Sequence, residues 1–263
     1  MYLVDYHTHP LSHLEKRVKP YHNIKLLNEF VRKAENKGIK ELGFSDHDQF
    51  IDNFNWDNLL KIKKQSKINI KLGLEIDFIS EEKERIKKNI KKYDFDYIIG
   101  SVHKVNKWPV DHPDYIEGYN KWNLKELYKE YFSIVEEMVK SDLFDIIGHI
   151  DLIKIFNNKI PKKELDKILK KLLVIIKEKN IVVEINTNGY NKPVSEFYPS
   201  DYILEKIIEM DIPVIFGSDA HNPGRVGENI VNVYKKLKKL DVKKIATFNK
   251  RKRSDIDVFW QKW

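Results

Sequence analysis

The sequence predicts an α/β fold in which parallel strands alternate with helices and close into a barrel. Short apolar runs alternate with segments of helical periodicity throughout the 263 residues, without a low-complexity linker or a short internal repeat. In addition, nearly every apolar run ends in side chains that carry nitrogen or oxygen donors. Strands that alternate with helices of this length form βαβ units and a parallel sheet. We therefore expect a single domain over residues 1–263.

Seven apolar runs are predicted to be strands. They end near Tyr6, Ser45, Ile76, Val102, Gly148, Asn186 and Ser218. In a parallel α/β barrel the carboxyl ends of all strands open onto one face, and that face holds the active site. The polar residues that follow these runs are therefore expected to meet at one mouth.

Helices are predicted between the strands, where apolar residues recur at helical spacing. In one of them Leu165, Leu169, Leu172 and Ile176 share a face, and Pro161 stands where a helix begins. Apolar residues from 127 to 138 predict another. The remaining predicted helices cover residues 26–37, 59–66, 81–92, 202–210 and 230–240.

The basic charge does not by itself indicate a nucleic-acid partner. The formal net charge is +8, but only six of the 48 basic residues are Arg, the residue that suits phosphate and base recognition best. The Lys residues are spread along helices, as is typical of solvated faces. We interpret the run from Lys250 to Arg253 in the same way and expect no nucleic-acid partner.

Composition also limits the location and the kind of metal site. There is no cysteine, so thiolate ligands and disulfides are excluded. No apolar run approaches 18 residues, and Met1 leads directly into a strand-like segment rather than a basic leader. The sequence therefore predicts a cytoplasmic protein without a membrane partner.

The histidines indicate a metal site at the mouth of the barrel. Six of the nine follow predicted strands, whereas His22 and His112 lie in polar loops and are expected at the surface. Imidazole and carboxylate ligands suit Zn²⁺, Fe²⁺ or Mn²⁺. A site with two metal ions about 3.5–4 Å apart can supply a hydroxide at neutral pH and clamp the oxygens of a displacement at phosphorus.

At this point the sequence resembles the PHP (polymerase and histidinol phosphatase) superfamily over about residues 1–250. The motifs that carry the resemblance are Asp5-x-His7-x-His9, Ser45-Asp46-His47, Gly73-x-Glu75, Ser101-Val102-His103, Gly148-His149-x-Asp151 and Ser218-Asp219-Ala220-His221. Three further motifs are similar to those of the histidinol-phosphatase branch, namely Trp108-Pro109, Glu184-Ile185-Asn186-Thr187 and Tyr198-Pro199. The resemblance implies a distorted (β/α)7 barrel and hydrolysis of L-histidinol phosphate to L-histidinol and phosphate in histidine biosynthesis, by metal-activated hydroxide attack.

The resemblance also implies roles for individual residues around two or three divalent metal ions. The first ion would be bound by His7, His9, Glu75 and Asp219, and the second by Glu75, His103 and His149. The third would be bound by His13, His47 and His221, with His13 closer to His9 than is usual in the family. Besides Glu75, Asp48 and Asp151 are candidates for catalytic roles as the general acid or as partners that orient a ligand.

The substrate contacts follow from the loops after the last three strands. The histidinol-phosphatase branch commonly has Arg where this chain has Asn191, so the phosphate would be held by Lys154, Lys192 or Arg225 instead. Asp111 and Glu117, in the loop after His103, could face the amine of the substrate, or they could be solvated loop carboxylates.

Three alternatives remain open on the sequence alone. An amidohydrolase-like metal barrel also begins with His-x-His and could use Lys104 as a carboxylated bridge. A PHP domain acting on nucleic acid or on another small phosphate ester would share the ligands. A PHP scaffold used only for binding would have lost at least one metal-binding residue, and only the unusual position of His13 suggests such a loss.

Overall fold

A computed structural model describes residues 1–11 and 21–258 of the chain, and its core is a parallel sheet of seven strands rolled into a nearly closed barrel. The strands are β1 (Leu3–Asp5), β2 (Ile39–Phe44), β3 (Asn69–Asp77), β4 (Tyr97–Ser101), β7 (Ile146–Ile147), β8 (Val182–Asn186) and β9 (Val214–Gly217), in that spatial order. Two short strands, β5 (Lys104–Val105) and β6 (Trp108–Pro109), pair antiparallel after β4. Each of the seven barrel strands ends within one residue of its predicted end, which confirms the (β/α)7 expectation.

Seven α-helices alternate with the barrel strands. They are α1 (Ile24–Asn36), α2 (Trp56–Gln65), α3 (Lys83–Ile90), α4 (Leu124–Lys140), α5 (Lys162–Lys179), α6 (Asp201–Glu209) and α7 (Ile230–Lys239). The predicted helices are confirmed. In α5, Leu165, Leu169, Leu172 and Ile176 form the buried face, as their spacing predicts.

The barrel closes where its first and last strands meet. The Tyr6 amide donates to the carbonyl of Phe216 at 2.9 Å, and the His9 amide donates to the carbonyl of Ala220 at 2.9 Å. A parallel bridge between Thr8 and Ala220 continues this seam beyond the strands. The seam therefore brings the residues after β1 beside those after β9.

A hairpin that the sequence analysis did not foresee closes the amino ends of the strands. It consists of β10 (Lys244–Asn249) and β11 (Lys252–Asp257). Inside the barrel, the Tyr6 hydroxyl donates to the buried Glu41 carboxylate, and Thr247 on β10 donates to the same carboxylate at 2.6 Å. Together with the Tyr2 hydroxyl, which donates to Glu41 Oε1 at 3.0 Å, and the Lys71 ammonium group 3.8 Å from Oε2, these hydrogen bonds satisfy the buried carboxylate.

The basic run at the turn of this hairpin is not simply a solvated face. Arg251 donates from Nε to Asp145 Oδ2 at 2.8 Å and from Nη2 to Asp145 Oδ1 at 3.1 Å. Asp145 directly precedes β7, and burial raises the pKa of its carboxyl while Arg251 opposes that rise. At Arg251, the interpretation as solvated charge is wrong because the side chain fastens the hairpin to the barrel.

Among the helices of the described residues, none combines the length and the apolar character needed to span a bilayer.

Candidate active site

Glu75, at the carboxyl end of β3, is the centre of the cluster at the barrel mouth. Its carboxylate is 1% exposed. Oε2 lies 2.9 Å from His47 Nδ1 and 3.3 Å from His7 Nε2, and Oε1 lies 3.0 Å from His149 Nε2. One carboxylate thus faces imidazoles from four different strand ends when His103, at 3.7 Å, is included.

Three groups of potential ligands converge within metal-binding distance of one another. In each group the donor atoms lie within 4.8 Å of one another. The first group is His7, His9 and Glu75, the second is Glu75, His103 and His149, and the third is His9, His47 and His221. Asp219 adds a carboxylate to the first and third, because its Oδ1 lies 3.2 Å from His9 Nε2 and 3.5 Å from His221 Nδ1. The arrangement brings together every predicted ligand that lies in the described residues. His13 lies outside them.

The donor atoms of this cluster suit divalent metal ions. Among the described residues, His7 Nε2, both ring nitrogens of His9 and Glu75 Oε2 are buried and have no partner in hydrogen-bond geometry. A buried polar atom without a partner costs free energy unless a ligand satisfies it. Neutral imidazole and carboxylate donors around a shared glutamate fit two or three Zn²⁺, Fe²⁺ or Mn²⁺ ions.

Two carboxylates that the sequence analysis did not assign to the site orient the ligand histidines. Glu184, on β8, places Oε1 2.6 Å from His7 Nδ1, and its Oε2 accepts from the His149 amide at 2.8 Å. Asp77, at the end of β3, lies 3.4 Å from His103 Nδ1. Carboxylates that hold the second nitrogen of a ligand histidine fix its ring orientation and its tautomer. The sequence offered one signal for Glu184, namely a charged residue within an otherwise apolar strand.

Close packing around Glu184 requires a glycine on the neighbouring strand. A Cβ atom at Gly217 would lie 2.0 Å from Glu184 Oε1 and 2.5 Å from His7 Cβ. Any side chain at position 217 would therefore push Glu184 and His7 apart and disturb the orientation of the His7 ring.

The charges of the cluster stabilise one another. Burial alone would raise the pKa of Glu75, but His47 and His7 hold it well below its usual range. Burial alone would likewise lower the pKa of His7, but Glu184 and Glu75 raise it well above the ordinary value. His9 differs, because burial together with His221 and His47 keeps its pKa well below that of a free imidazole. The site therefore attracts positive charge, either as protons or as metal ions.

A cavity of about 350 Å³ opens above the cluster. Of the predicted substrate contacts, Lys192, Arg225 and Asp111 line it, and Asn188 and Tyr198 line it as well. The Tyr198 hydroxyl is buried without a hydrogen-bond partner among the described residues, and burial raises its pKa, so it remains a neutral donor. Glu117 is exposed on the segment Pro113–Lys121 and does not line the cavity.

Three of the candidate residues do not line this cavity. Asp48 accepts hydrogen bonds from Arg85 and from Asn89 Nδ2 at 3.0 Å, so its carboxylate is engaged outside the cavity. Lys154 is 3% exposed and donates to the carbonyl of Phe197 at 2.6 Å.

Asp151 is also removed from the cavity. Its Oδ2 accepts from the Ser200 amide at 2.9 Å and lies 3.1 Å from Lys154 Nζ. Asp151 and Lys154 thus form a buried pair that holds the loop after β8. Lys154 also pairs with the Glu196 carboxylate at 3.1 Å, so its ammonium group is shared among Asp151, Glu196 and the Phe197 carbonyl.

Two further expectations can be compared with the structure. His112 is exposed, as predicted. His22 was expected at the surface but is buried, with Nε2 2.8 Å from Asp46 Oδ2. The Asp46 Oδ1 atom accepts from the Leu11 amide at 2.8 Å, so this carboxylate ties together the two ends of residues 11–22. The polar residues next to His22 in the sequence did not indicate exposure, because its partner Asp46 is distant along the chain.

The geometry also bears on the amidohydrolase-like alternative. Lys104 is 45% exposed and pairs with Asp77 Oδ2 at 3.2 Å. It therefore lies at the surface, and Glu75 holds the central position that a carboxylated lysine would take.

Comparisons with known proteins find similar chains. The family model described as PHP domain matches residues 13–188. A probable histidinol-phosphatase of Deinococcus radiodurans is 35% identical over 187 residues, which cover 71% of this chain and 70% of that protein. The histidinol-phosphatase of Lactococcus lactis is 26% identical over 262 residues, with 94% of each chain covered.

A solved structure shares the fold. The crystal structure of histidinol phosphate phosphatase from Lactococcus lactis, complexed with Zn, L-histidinol and phosphate, matches with a TM-score of 0.76 and 23% identity. The match covers 96% of this chain and 98% of that chain. At this identity the likeness establishes the barrel and its strand order.

Proposed function

The chain belongs to the PHP domain family, and on that premise we propose that it is a metal-dependent histidinol phosphatase, which hydrolyses L-histidinol phosphate to L-histidinol and phosphate. The main support for this proposal is the position of Glu75 between two groups of histidines. Its two carboxylate oxygens face two groups of histidines, one containing His7 and His9 and the other containing His103 and His149. A carboxylate shared in this way suits two cations held side by side.

The proposed metal centre has two or three divalent ions of Zn, Fe or Mn. When bound, these ions would supply the Lewis acidity that activates water and neutralises the phosphoryl oxygens. The chain contributes the ligand groups, of which His7 is oriented by Glu184 and His103 by Asp77. Asp219 would complete the first ion's ligands, and His47 and His221, together with His9 or His13, would hold a third.

Substrate recognition is proposed to depend on charges of opposite sign around the cavity. Arg225 and Lys192 supply positive charge for the phosphoryl group. Asp111, on another part of the rim, supplies negative charge for the amine of L-histidinol phosphate. In this proposal the substrate lies across the cavity with its phosphate toward Arg225. We further propose that residues 1–263 act as one cytoplasmic domain on this small molecule, without nucleic acid.

The test compares substrates on protein of measured metal content. We expect kcat/KM for L-histidinol phosphate to exceed that for p-nitrophenyl phosphate, sugar phosphates and nucleoside monophosphates. Asp111→Asn should raise KM for L-histidinol phosphate and leave KM for p-nitrophenyl phosphate, which has no amine, nearly unchanged. A sugar phosphate or a nucleotide that is hydrolysed ten times more efficiently would reject the histidinol-phosphatase assignment. Less than one metal ion per chain, with no activation by Mn²⁺, Zn²⁺ or Fe²⁺, would reject the metal-dependent mechanism.

A further inference from the structure

Arg225 is held at two of its donor positions by neighbouring side chains. Its Nε donates to Glu228 Oε2 at 2.9 Å, and its Nη2 donates to Asn188 Oδ1 at 2.8 Å. Glu228 is in turn fixed, because its Oε2 accepts from Asn191 Nδ2 at 2.9 Å and its carbonyl accepts from the Thr187 hydroxyl at 2.6 Å. These bonds use two of the five N–H groups of a guanidinium, which can bind an anion through the others.

Asn188 joins this arginine to the metal-ligand cluster. Its Nδ2 donates to Asp219 Oδ2 at 2.9 Å, while the other oxygen of Asp219 faces His9 Nε2 at 3.2 Å. Asn188 is 5% exposed, and its backbone amide donates to Asn186 Oδ1 at 2.9 Å, which anchors it to the end of β8. One side chain therefore contacts both the carboxylate at the cluster and the cation in the cavity wall.

The chemistry of an amide suits this position. The donor end of Asn188 meets a carboxylate and its acceptor end meets a guanidinium, so the surrounding charges determine its orientation. An aspartate would place a second negative charge against Asp219. An apolar residue would leave Arg225 fastened only through Nε to Glu228, and the guanidinium could pivot about that single contact.

We propose that Asn188 is a positioning residue. It holds the Arg225 guanidinium where this group can bind the phosphoryl group, and it fixes the position of the guanidinium relative to Asp219. The proposal rests on the proposed function, in that it assigns Arg225 to the phosphate. It deepens that function because it makes phosphate affinity depend on a residue that need not touch the phosphate.

The coupling can be measured with a double-mutant cycle of Asn188→Ala and Arg225→Ala. The readout is the inhibition constant of inorganic phosphate at saturating Zn²⁺, with p-nitrophenyl phosphate as substrate. Because a hydrogen bond to a charged group is involved, we expect Asn188→Ala to raise this constant about tenfold. In the Arg225→Ala background the same substitution should change it less than about twofold, because there is no longer a guanidinium to position.

Two further variants keep the result interpretable. Asn188→Ser, which is smaller but polar, should shift phosphate inhibition in the same direction if Asn188→Ala folds poorly. Asn232→Ala removes an exposed asparagine whose Nδ2 donates to Asn229 Oδ1 at 3.3 Å on α7, and it should leave inhibition unchanged. Thermal unfolding of each variant checks that the fold is intact.

The outcomes separate this proposal from the function on which it rests. An equal effect of Asn188→Ala in both backgrounds, or no effect in either, overturns the positioning role, even if L-histidinol phosphate is the best substrate. Strong coupling in a protein that prefers another phosphate ester supports the positioning role and rejects the substrate. A wild-type protein that neither binds phosphate nor hydrolyses any monoester rejects both.

Discussion

His7 is held between two carboxylates, Glu75 on its Nε2 side and Glu184 on its Nδ1 side. The imidazole can present only one nitrogen to a metal ion, and the contact with Glu184 leaves Nε2 for that purpose. The charge of Glu184 also makes the ring a better ligand. Glu184 thus determines which atom of His7 is available to the proposed metal ion.

Glu184→Gln tests this role with a change that preserves shape and removes charge. We expect metal affinity to fall by about 10–100-fold, as for other residues that orient a ligand histidine. The measurement is competition for Zn²⁺ against a chromophoric chelator. Glu178→Gln, at an exposed position of α5, is the control and should bind metal like the wild type. Equal affinities for the two variants would show that Glu184 does not act on the metal.

Metal binding should release protons at neutral pH. Without a bound cation, burial tends to lower the pKa of His103, but Asp77 and Glu75 raise it to about 10. The pKa of His7 is also well above its ordinary value. These raised pKa values favour the protonated form of both rings at pH 7 in the metal-free protein, whereas a ligand imidazole must be neutral.

It follows that apparent metal affinity should rise with pH from 6 to 8. Calorimetric titration of Zn²⁺ at pH 7, in buffers of different ionisation enthalpy, should show about two protons released per chain, one each from His7 and His103. A heat that is independent of the buffer would contradict the protonated state of these histidines.

How far single residues could be predicted depended on where their partners lie along the chain. His7, His9, Glu75 and His149 could be predicted because strand ends of a parallel barrel converge by topology alone. Asp48 and Lys154, which were predicted as catalytic and substrate-binding residues, form ion pairs away from the cavity lining, Asp48 with Arg85 and Lys154 with Asp151 and Glu196. Nothing in the sequence near position 48 indicates the distant arginine.

At the scale of the elements, the barrel strands were predictable and the hairpin of β10 and β11 was not. The strands are short apolar runs with polar ends, which is a strong pattern. A two-residue hairpin turn is usually recognised by Asn-Gly or Asp-Gly, but here the positive φ angles of 47° and 62° belong to Lys250 and Arg251. The Arg251 contacts with Asp145 offset the cost of that backbone conformation.

Arg251→Ala should therefore loosen the hairpin without changing the active site. It removes a bidentate ion pair and leaves the Asp145 carboxylate, which is 13% exposed, without its cationic partner. We expect a loss of about 1–3 kcal/mol in the free energy of unfolding, measured by urea denaturation, and an unchanged kcat for the folded enzyme. Arg253→Ala, on the same hairpin but with exposed contacts to Asn180, should cost less than about 1 kcal/mol. If kcat of these variants fell in proportion to their free energy of unfolding, the result would show that the two ends of the barrel are coupled.

Over the whole molecule, the buried hydrogen-bond network around Glu41 and the proposed metal-ligand cluster lie at opposite ends of the strands. Glu41, Tyr6 and Thr247 fill the amino end beneath the hairpin, and the ligand groups occupy the carboxyl end. A charged residue in a strand could belong to either end. Sequence spacing does not distinguish the structural Glu41 from the functional Glu184, because both interrupt apolar strands.

The seam between β1 and β9 has a consequence for how the enzyme is made. His7 and His9 follow the first strand of the barrel and Asp219 and His221 follow the last, so their donors become neighbours only when β9 pairs with β1. Synthesis proceeds from the amino terminus, and more than 200 residues must leave the ribosome between these two sets of ligands. Two groups, His7 with His9 and Glu75, and Glu75 with His103 and His149, contain no residue beyond β7 and its following loop and can assemble earlier. The nascent chain can therefore offer an incoming cation an incomplete binding site before β9 has been synthesised.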